Sequence, residues 1–374
     1  MKKVLFVATV VKKHINYFHI PTLKLFKESG WETSVCARND FEIKEECKIP
    51  YCDKYYDVLF ERNPFKIINI SCFLKLKKLI EKEQYDIVYC HTPVGGAIAR
   101  LASIKARKKG TKVIYMAHGF HFFAGAPKIN WLIYYPIEKC LSRYTDLLIT
   151  INQEDYQRAL KFKAKKVEYV PGVGIDLDKF YFDEGIRKKK REELLISDDD
   201  FAMLSVGELT KRKNHLMVIE AMHKINNTNL HYYICGSGPL KEKIESLVKQ
   251  YNLEKNVHLL GFRKDIYDIC NACDLFVFPS LQEGLPVALM EAMACRMPVV
   301  CTRIRGNCNL IDEEKGGYLT EISSSDLADK ILNCLNKSNL PQMGKYNQEV
   351  IKQYKIDKIL KMMKKIFELD KGGA

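Results

Sequence analysis

No apolar run in this 374-residue sequence approaches the roughly 20 residues that a bilayer-spanning helix needs. The chain is therefore expected to be soluble, or at most to rest on a membrane surface. The opening MKKVLFVATVVKKH sets two lysines ahead of an apolar stretch. Lys12 and Lys13 end that stretch early and no small-residue cleavage site follows, so it fits a buried strand better than a signal peptide. A second C-x-x-C is also missing. Cys270 and Cys273 stand alone inside DIYDICNACDLFVF, without the partner pair of a zinc site or a thioredoxin-like setting. The thirteen cysteines are odd in number and lie mostly in apolar runs such as SVCA, IVYC and VVCT, which suits a reducing cytoplasm. There is no repeat of solenoid period, no low-complexity tract, no full G-x-G-x-x-G and no stretch resembling a nucleic-acid-binding module.

What is present in quantity is positive charge. A formal net charge of +14 admits nucleic acid, an anionic membrane or phosphorylated small molecules as partners. The basic residues are spread over helix-like segments such as FLKLKKLIEKE and IRKKKREE, so charge alone does not choose among them. Hydrophobic content of 47% and charged content of 28% are those of a globular protein, and the length suits two domains.

Short β-branched or aromatic runs alternate with helix-like segments along the whole chain. KVLFVAT, WETSVCA, DIVYCH, KVIYMAH, DLLITI and KVEYVP read as strands of a first half. FAMLSVGEL, LHYYICG, VHLLG, LFVFPS and MPVVCT repeat the scheme. Strands alternating with helices imply an α/β fold of parallel sheets covered on both faces. PGVGIDLDKFYF, residues 171 to 182, reads as the seam. The expected domains are therefore 1–172 and 173–349, with a C-terminal helix of about 350–374 packing back on the first.

In such sheets ligands bind beyond the carboxyl ends of strands. In residues 275 to 300 a strand ends at Pro279 and Ser280, a loop carries Glu283, Gly284 and Leu285, and Pro286 opens a helix bearing Glu291. Amide groups at that helix start favour a phosphate or a sugar hydroxyl, and two carboxylates with seven residues between them suit two parts of one elongated ligand. In SVGELTKRKNHLMVIEAM, Lys211, Arg212 and Lys213 precede a helix, as a diphosphate clamp or as a solvated basic edge. YICGSGP is another strand entering a glycine turn, at Gly236. In the first half His118 and His121 follow a strand in VIYMAHGFHFFAGAP. DIVYCHTPVGGAIARLA ends a strand at His91, with Thr92 placed to cap a helix and Pro93 to begin it. Gly95 and Gly96 either let a ligand approach the backbone or allow close helix packing. Asp198, Asp199 and Asp200 form a D-x-D that precedes a strand rather than ending one, and read as a surface turn.

Taken in order, these stretches resemble the retaining glycosyltransferases of family 4, over essentially the whole chain. Residues 283 to 291 match that family's E-x7-E signature. The resemblance implies the GT-B fold, two facing Rossmann-like domains with a cleft between them. It implies that Glu283 holds the donor sugar, Glu291 the nucleotide ribose and Lys213 the pyrophosphate. HLLGFRKD resembles the loop that receives the nucleotide base, so Phe262 and Arg263 join the donor site with Arg212, Gly284, Leu285 and Gly236. His118 matches a histidine facing the donor sugar; with Glu283 it forms the implied catalytic pair, and Gly95, Gly96 and His121 serve the acceptor. Two departures stand out. Glu208 occupies the family's arginine position, and TVVKKHINYFH lacks the glycine pair common after the first strand.

HGFHF, GAP and NWLIYYPIEK resemble a subgroup of exopolysaccharide and capsule assembly. The implied function is retaining transfer from a nucleoside-diphosphate sugar, UDP-linked by first expectation, to a lipid-linked (undecaprenyl diphosphate) or saccharide acceptor. No cofactor, metal or nucleic acid is expected. The implied location is cytoplasmic, peripheral on the inner face of the membrane. A nucleotide-sugar epimerase and a non-catalytic sugar-binding partner are the competing functions; acceptor dependence separates the first. Residues 65 to 82, with Lys66, Lys75, Lys77, Lys78 and Lys82, and residues 127 to 144, with Trp131, Tyr134 and Tyr135, are candidates for contact with an anionic membrane. The alternative is that both segments only cover the sheet, with Trp131 in the core.

Overall fold

The computed structural model describes residues 1–335 and 339–369. The chain divides into two compact units, one formed by Met1–Gly174 with Asp357–Ala374, the other by Ile175–Ile356.

The first unit holds a seven-stranded parallel sheet. Its strands are β1 (Lys3–Val10), β2 (Glu32–Arg38), β3 (Lys54–Asp57), β4 (Ile87–Cys90), β5 (Lys112–Ala117), β6 (Leu147–Thr150) and β7 (Lys166–Tyr169), in the order β3-β2-β1-β4-β5-β6-β7. The central strand, KVLFVATV, is buried on both faces, as a parallel strand between helical layers must be. Val4 lies opposite Thr33 on one side and Ile87 on the other. Leu5, Val7, Leu76, Ile80 and Val88 belong to one core. Phe367, just after the helix Ile356–Ile366, packs its ring 5.0 Å from Phe26 and 5.1 Å from Tyr89. Residues 370–374 of the expected C-terminal helix lie outside the described residues.

The second unit holds six parallel strands, β8 (Phe201–Val206), β9 (Leu230–Cys235), β10 (Val257–Gly261), β11 (Leu275–Phe278), β12 (Val299–Thr302) and β13 (Gly317–Thr320), in the order β10-β9-β8-β11-β12-β13. Met203, Ile219, Ile234, Val277 and Val300 are among its core residues.

Two strands add to those read from the sequence, β3 (KYYD) and β13 (GYLT). Each has four residues and lies at a sheet edge. The larger difference follows β1. The α-helix Ile20–Glu28 is preceded by a π-helix, Val11–His19, whose first amides are met by Asp40: Lys12 and Lys13 donate to its carboxylate at 2.6 and 3.2 Å. No helix among the described residues is long and apolar enough to cross a membrane. Strand order reverses direction between β1 and β4 in one sheet and between β8 and β11 in the other, and crevices at such points are where ligands bind.

Candidate active site

In the second unit the loops beyond β8, β9 and β11 interlock. A Cβ on Gly236 would lie 1.9 Å from the carbonyl oxygen of Gly207, and the Gly236 amide donates to Gly261 at 2.8 Å. Gly236 is thus required by the approach of two loops. Lys213 runs along the same turn, lies over the Phe278 ring at 4.4 Å and donates to Glu283 Oε1 at 2.8 Å. Arg212 reaches that same oxygen at 2.8 Å and the Gln282 carbonyl at 3.0 Å. Two cations therefore converge on one carboxylate, leaving the trio with a net positive charge. Burial, reinforced by Arg212, holds the Lys213 ammonium below its ordinary pKa despite Glu283.

The loop carrying these groups is fastened from behind. Arg305 donates to the Glu283 carbonyl at 3.2 Å, and Gly306, at φ +83°, approaches so closely that a Cβ there would lie 2.6 Å from the Gly284 carbonyl oxygen. Arg305 was not found from sequence, because nothing in RIRGNCN marks which arginine turns inward. Leu285 is buried. Pro286 occupies the extended cap position before the helix Val287–Ala294 rather than its first turn. Glu291 follows on that helix. It is partly buried and its carboxylate has no hydrogen-bond partner among the described residues; burial pushes its pKa up to about 7, against a weak opposing pull from Lys179.

Phe262 is 77% exposed beyond β10, whereas Arg263 is engaged by its own loop, donating to both Asp265 oxygens at 2.8 and 2.5 Å. Lys211 and Glu208 are exposed and outside the trio. Asp198 and Asp199 lie in an exposed turn. A larger hollow, about 1100 Å³, opens at the amino ends of β8, β11 and β12, away from all these strand-end loops.

In the first unit His118 follows β5. Its Nε2 is buried without a hydrogen-bond partner, and burial lowers the ring's pKa to about 4, so it is neutral. The following turn is pinned by Asp155, which accepts from the Phe120 amide and the Asn152 side chain, both at 2.9 Å. His118 and His121 line a cavity of about 520 Å³ with Thr9, Arg62, Thr92 and Tyr134. The His121 ring lies 4.8 Å from that of Tyr134. Sequence reading missed the buried pair beside the cavity, in which Arg100 donates to Glu138 at 2.8 and 3.1 Å and stacks over Tyr115 at 4.0 Å. It also missed His14 and His19, which lie with His91 against His118; the only signal was H-x4-H, a spacing that an α-helix does not align.

Two expectations, the Thr92 cap and the outward-facing aromatics, are corrected here, and the glycine pair is described with them. Thr92 precedes its helix, but its hydroxyl binds Thr9 and the His91 carbonyl rather than capping helix amides. Gly95 and Gly96 are buried: a Cβ on the first would meet Thr92 Oγ1 at 2.7 Å and on the second the Tyr115 ring at 2.5 Å. These contacts supply the packing alternative with its atoms. Trp131, Tyr134 and Tyr135 pack against the core instead of facing outward, with Arg158 over Trp131 at 4.8 Å.

Two Rossmann-like sheets, each with its chemistry at the switch point, define a protein of the GT-B class. The model for glycosyl transferases group 1 matches residues 186–353, and that for the glycosyl transferase 4-like family residues 3–152. The putative glycosyltransferase EpsD of Bacillus subtilis (strain 168) is 40% identical over 329 residues, 87% of this chain and 84% of its own length. The UDP-Gal:alpha-D-GlcNAc-diphosphoundecaprenol alpha-1,3-galactosyltransferase of Escherichia coli is 33% identical, covering 74% of this chain and 75% of its own. Anabaena HepE, solved with UDP and glucose, has a TM-score of 0.80 at 19% identity, covering 98% of this chain and all (100%) of its own. The chain belongs to the group 1, family 4-like glycosyltransferases.

Proposed function

We propose that this glycosyltransferase moves a hexose or N-acetylhexosamine from a UDP-sugar to a glycan intermediate on undecaprenyl diphosphate. Transfer proceeds with retention at the anomeric carbon, in the assembly of a bacterial capsule or exopolysaccharide. The observation that carries the reading is the convergence of Lys213 and Arg212 on Glu283 beyond β8 and β11. The name of the E. coli relative, with its UDP-galactose donor and diphosphoundecaprenol-linked acceptor, supports the substrate classes.

In this reading Glu283 accepts hydrogen bonds from the sugar hydroxyls and Glu291 from the ribose. Phe262, Leu285 and Gly284 border the nucleotide. As the bond between anomeric carbon and phosphate oxygen breaks, its electron pair goes to the diphosphate. Lys213 and Arg212 neutralise that charge, with no divalent cation or cofactor required. The acceptor hydroxyl attacks the same face and its proton passes to the leaving phosphate oxygen. His118 serves the sugar, and the cavity bordered by His121 takes the acceptor.

The enzyme is proposed to work in the cytoplasm, docked on the inner face of the membrane. Exposed Phe65, Ile67, Ile70 and Leu74 alternate there with exposed Lys66, Lys75 and Lys78, and Leu132 adds a further exposed apolar side chain. The test is transfer from a panel of nucleotide sugars to a synthetic undecaprenyl-diphosphate sugar, with the product's anomeric configuration read by NMR. The reading predicts acceptor-dependent release of UDP and a retained configuration. An inverted product refutes the mechanism, and conversion of donor without acceptor refutes transfer.

A further inference from the structure

Four imidazoles from three segments meet beyond the carboxyl ends of β1, β4 and β5. His14 and His19 come from the π-helix Val11–His19, His91 follows β4 and His118 follows β5. One ring nitrogen from each lies within 4.8 Å of those of the others. The π-helix is what makes this possible. In an α-helix, residues five apart point about 140° away from each other. A π-helix bonds residue i to i+5 and places them one above the other.

Three of the rings form a nearly equilateral set. Centroid separations are 5.0 Å for His14 and His19, 4.9 Å for His14 and His118, and 5.1 Å for His19 and His118. His14 Nε2 and His19 Nε2 are 3.3 Å apart. Imidazoles bound tetrahedrally to one ion at a zinc–nitrogen distance of 2.0–2.1 Å have nitrogens about 3.3–3.4 Å apart and ring centroids about 5 Å apart. His91 differs: its ring stacks on His19 at 3.7 Å, too close for both to bind one ion, and so backs the set.

The chemistry of the set points the same way. His19 and His91 are 1% and 0% exposed, and His14 is 8% exposed. Both His91 nitrogens and His118 Nε2 are buried without a hydrogen-bond partner among the described residues. Buried polar atoms left unpaired are costly and rare; of these three, His118 Nε2 belongs to the equilateral set and calls for a ligand there. Burial lowers the pKa of all four rings, His118 to about 4, which keeps them in the neutral form that binds metals.

We infer that His14, His19 and His118 form a binding site for a divalent transition-metal ion of the zinc type, with His91 packed behind it. Three imidazoles with no carboxylate or thiolate select such an ion over magnesium or calcium. The fourth position opens to the cavity that His14 and His118 line, for water or an anionic oxygen. This site stands apart from the diphosphate-binding residues but shares His118 with the proposed transfer step, which itself needs no metal. Where the inference rests on His118 serving the sugar, bound metal withdraws that imidazole and slows transfer.

The test uses the tag-free full chain, stripped with EDTA and desalted. Co2+ titration is followed by its ligand-field absorption and Zn2+ titration by calorimetry. One equivalent of ion should bind, with the visible spectrum of tetrahedral cobalt. His14→Ala and His19→Ala should each weaken binding more than about a hundredfold, while His91→Phe, which keeps the stack, changes it by less than about tenfold. Thermal melting without metal shows which variants fold; His14→Phe and His19→Gln replace any alanine variant that does not. Absence of saturable binding in the parent chain, or binding unchanged in folded variants at positions 14 and 19, overturns the inference whatever the transfer assay gives.

Discussion

Glu291 should make the ligand-free enzyme less stable while making it a better binder, and the two effects can be separated by pH. Its carboxyl is raised from 4.5 to about 7 by burial, with only Lys179 opposing. The folded form thus holds the proton more tightly than the unfolded chain. The resulting stability is fully present below about pH 4.5 and is lost as pH rises through 7. The difference corresponds to about 3 kcal/mol at pH well above 7, reduced to about 2 by solvent reaching the partly exposed carboxylate. Glu291→Gln cannot ionise, so it removes this loss. At pH 8 the variant should be the more stable by about 2–3 kcal/mol, or about 4–12 °C in the melting of a unit of this size. At pH 4, below the unfolded value, the two should nearly coincide. Nucleotide binding should move oppositely: hydrogen bonds from ribose to a charged carboxylate contribute about 1.5–3 kcal/mol, so UDP should bind the variant about 10–150-fold more weakly. Melting of ligand-free protein at both pH values, with UDP calorimetry at pH 8, checks both. A variant that tracks the parent's pH dependence, or binds UDP equally well, refutes the reasoning.

Glu283→Gln keeps the size of the side chain but removes the charge met by Lys213 and Arg212. Initial rates should fall at least about a hundredfold while UDP still binds, and near-parental turnover would remove Glu283 from the mechanism. Transfer should survive EDTA treatment and desalting; a requirement for added manganese or magnesium would contradict charge neutralisation by Lys213 and Arg212. The purified chain should float with anionic liposomes at low salt and less so at high salt, since each basic side chain near the surface contributes about 1 kcal/mol; indifference to anionic vesicles at low salt would exclude docking. Gly236→Ala forces a Cβ to within 1.9 Å of the Gly207 carbonyl. It should lower the melting temperature and weaken UDP binding together, and an unaltered variant would show that the two loops are not constrained as described.

The donor-side loops were legible because strand, turn and helix signals run consecutively through residues 275 to 300 and 205 to 222, so Glu283, Lys213 and Arg212 could be placed at strand ends. What escaped was any contact made at long range. One carboxylate oxygen shared by Lys213 and Arg212, Arg305 behind the loop, and the Arg100–Glu138 pair each join residues with no mutual sequence signal. The glycine pair at Gly95 and Gly96 permits either ligand approach or packing, and the Tyr115 ring beside it has no signal in the sequence. Trp131 posed a similar ambiguity, since an amphipathic helix reads the same whether its aromatic side meets lipid or a sheet. His14 and His19 were hidden because TVVKKHINYFH was read only for the glycine pair it lacks, and their five-residue step aligns in a π-helix but not in an α-helix.

The division of the chain has a consequence for synthesis. The unit Ile175–Ile356 is contiguous and can fold as soon as it leaves the ribosome, whereas its neighbour is written in two pieces, and the second begins only at Asp357. At roughly 5–20 residues per second, about 10–40 s separate the two pieces. Throughout that interval Phe26 and Tyr89 lack the Phe367 ring that packs on them in the finished protein. The domain made first is thus the one completed last, and a nascent chain stalled before Asp357 would carry an uncovered aromatic patch for chaperones to recognise.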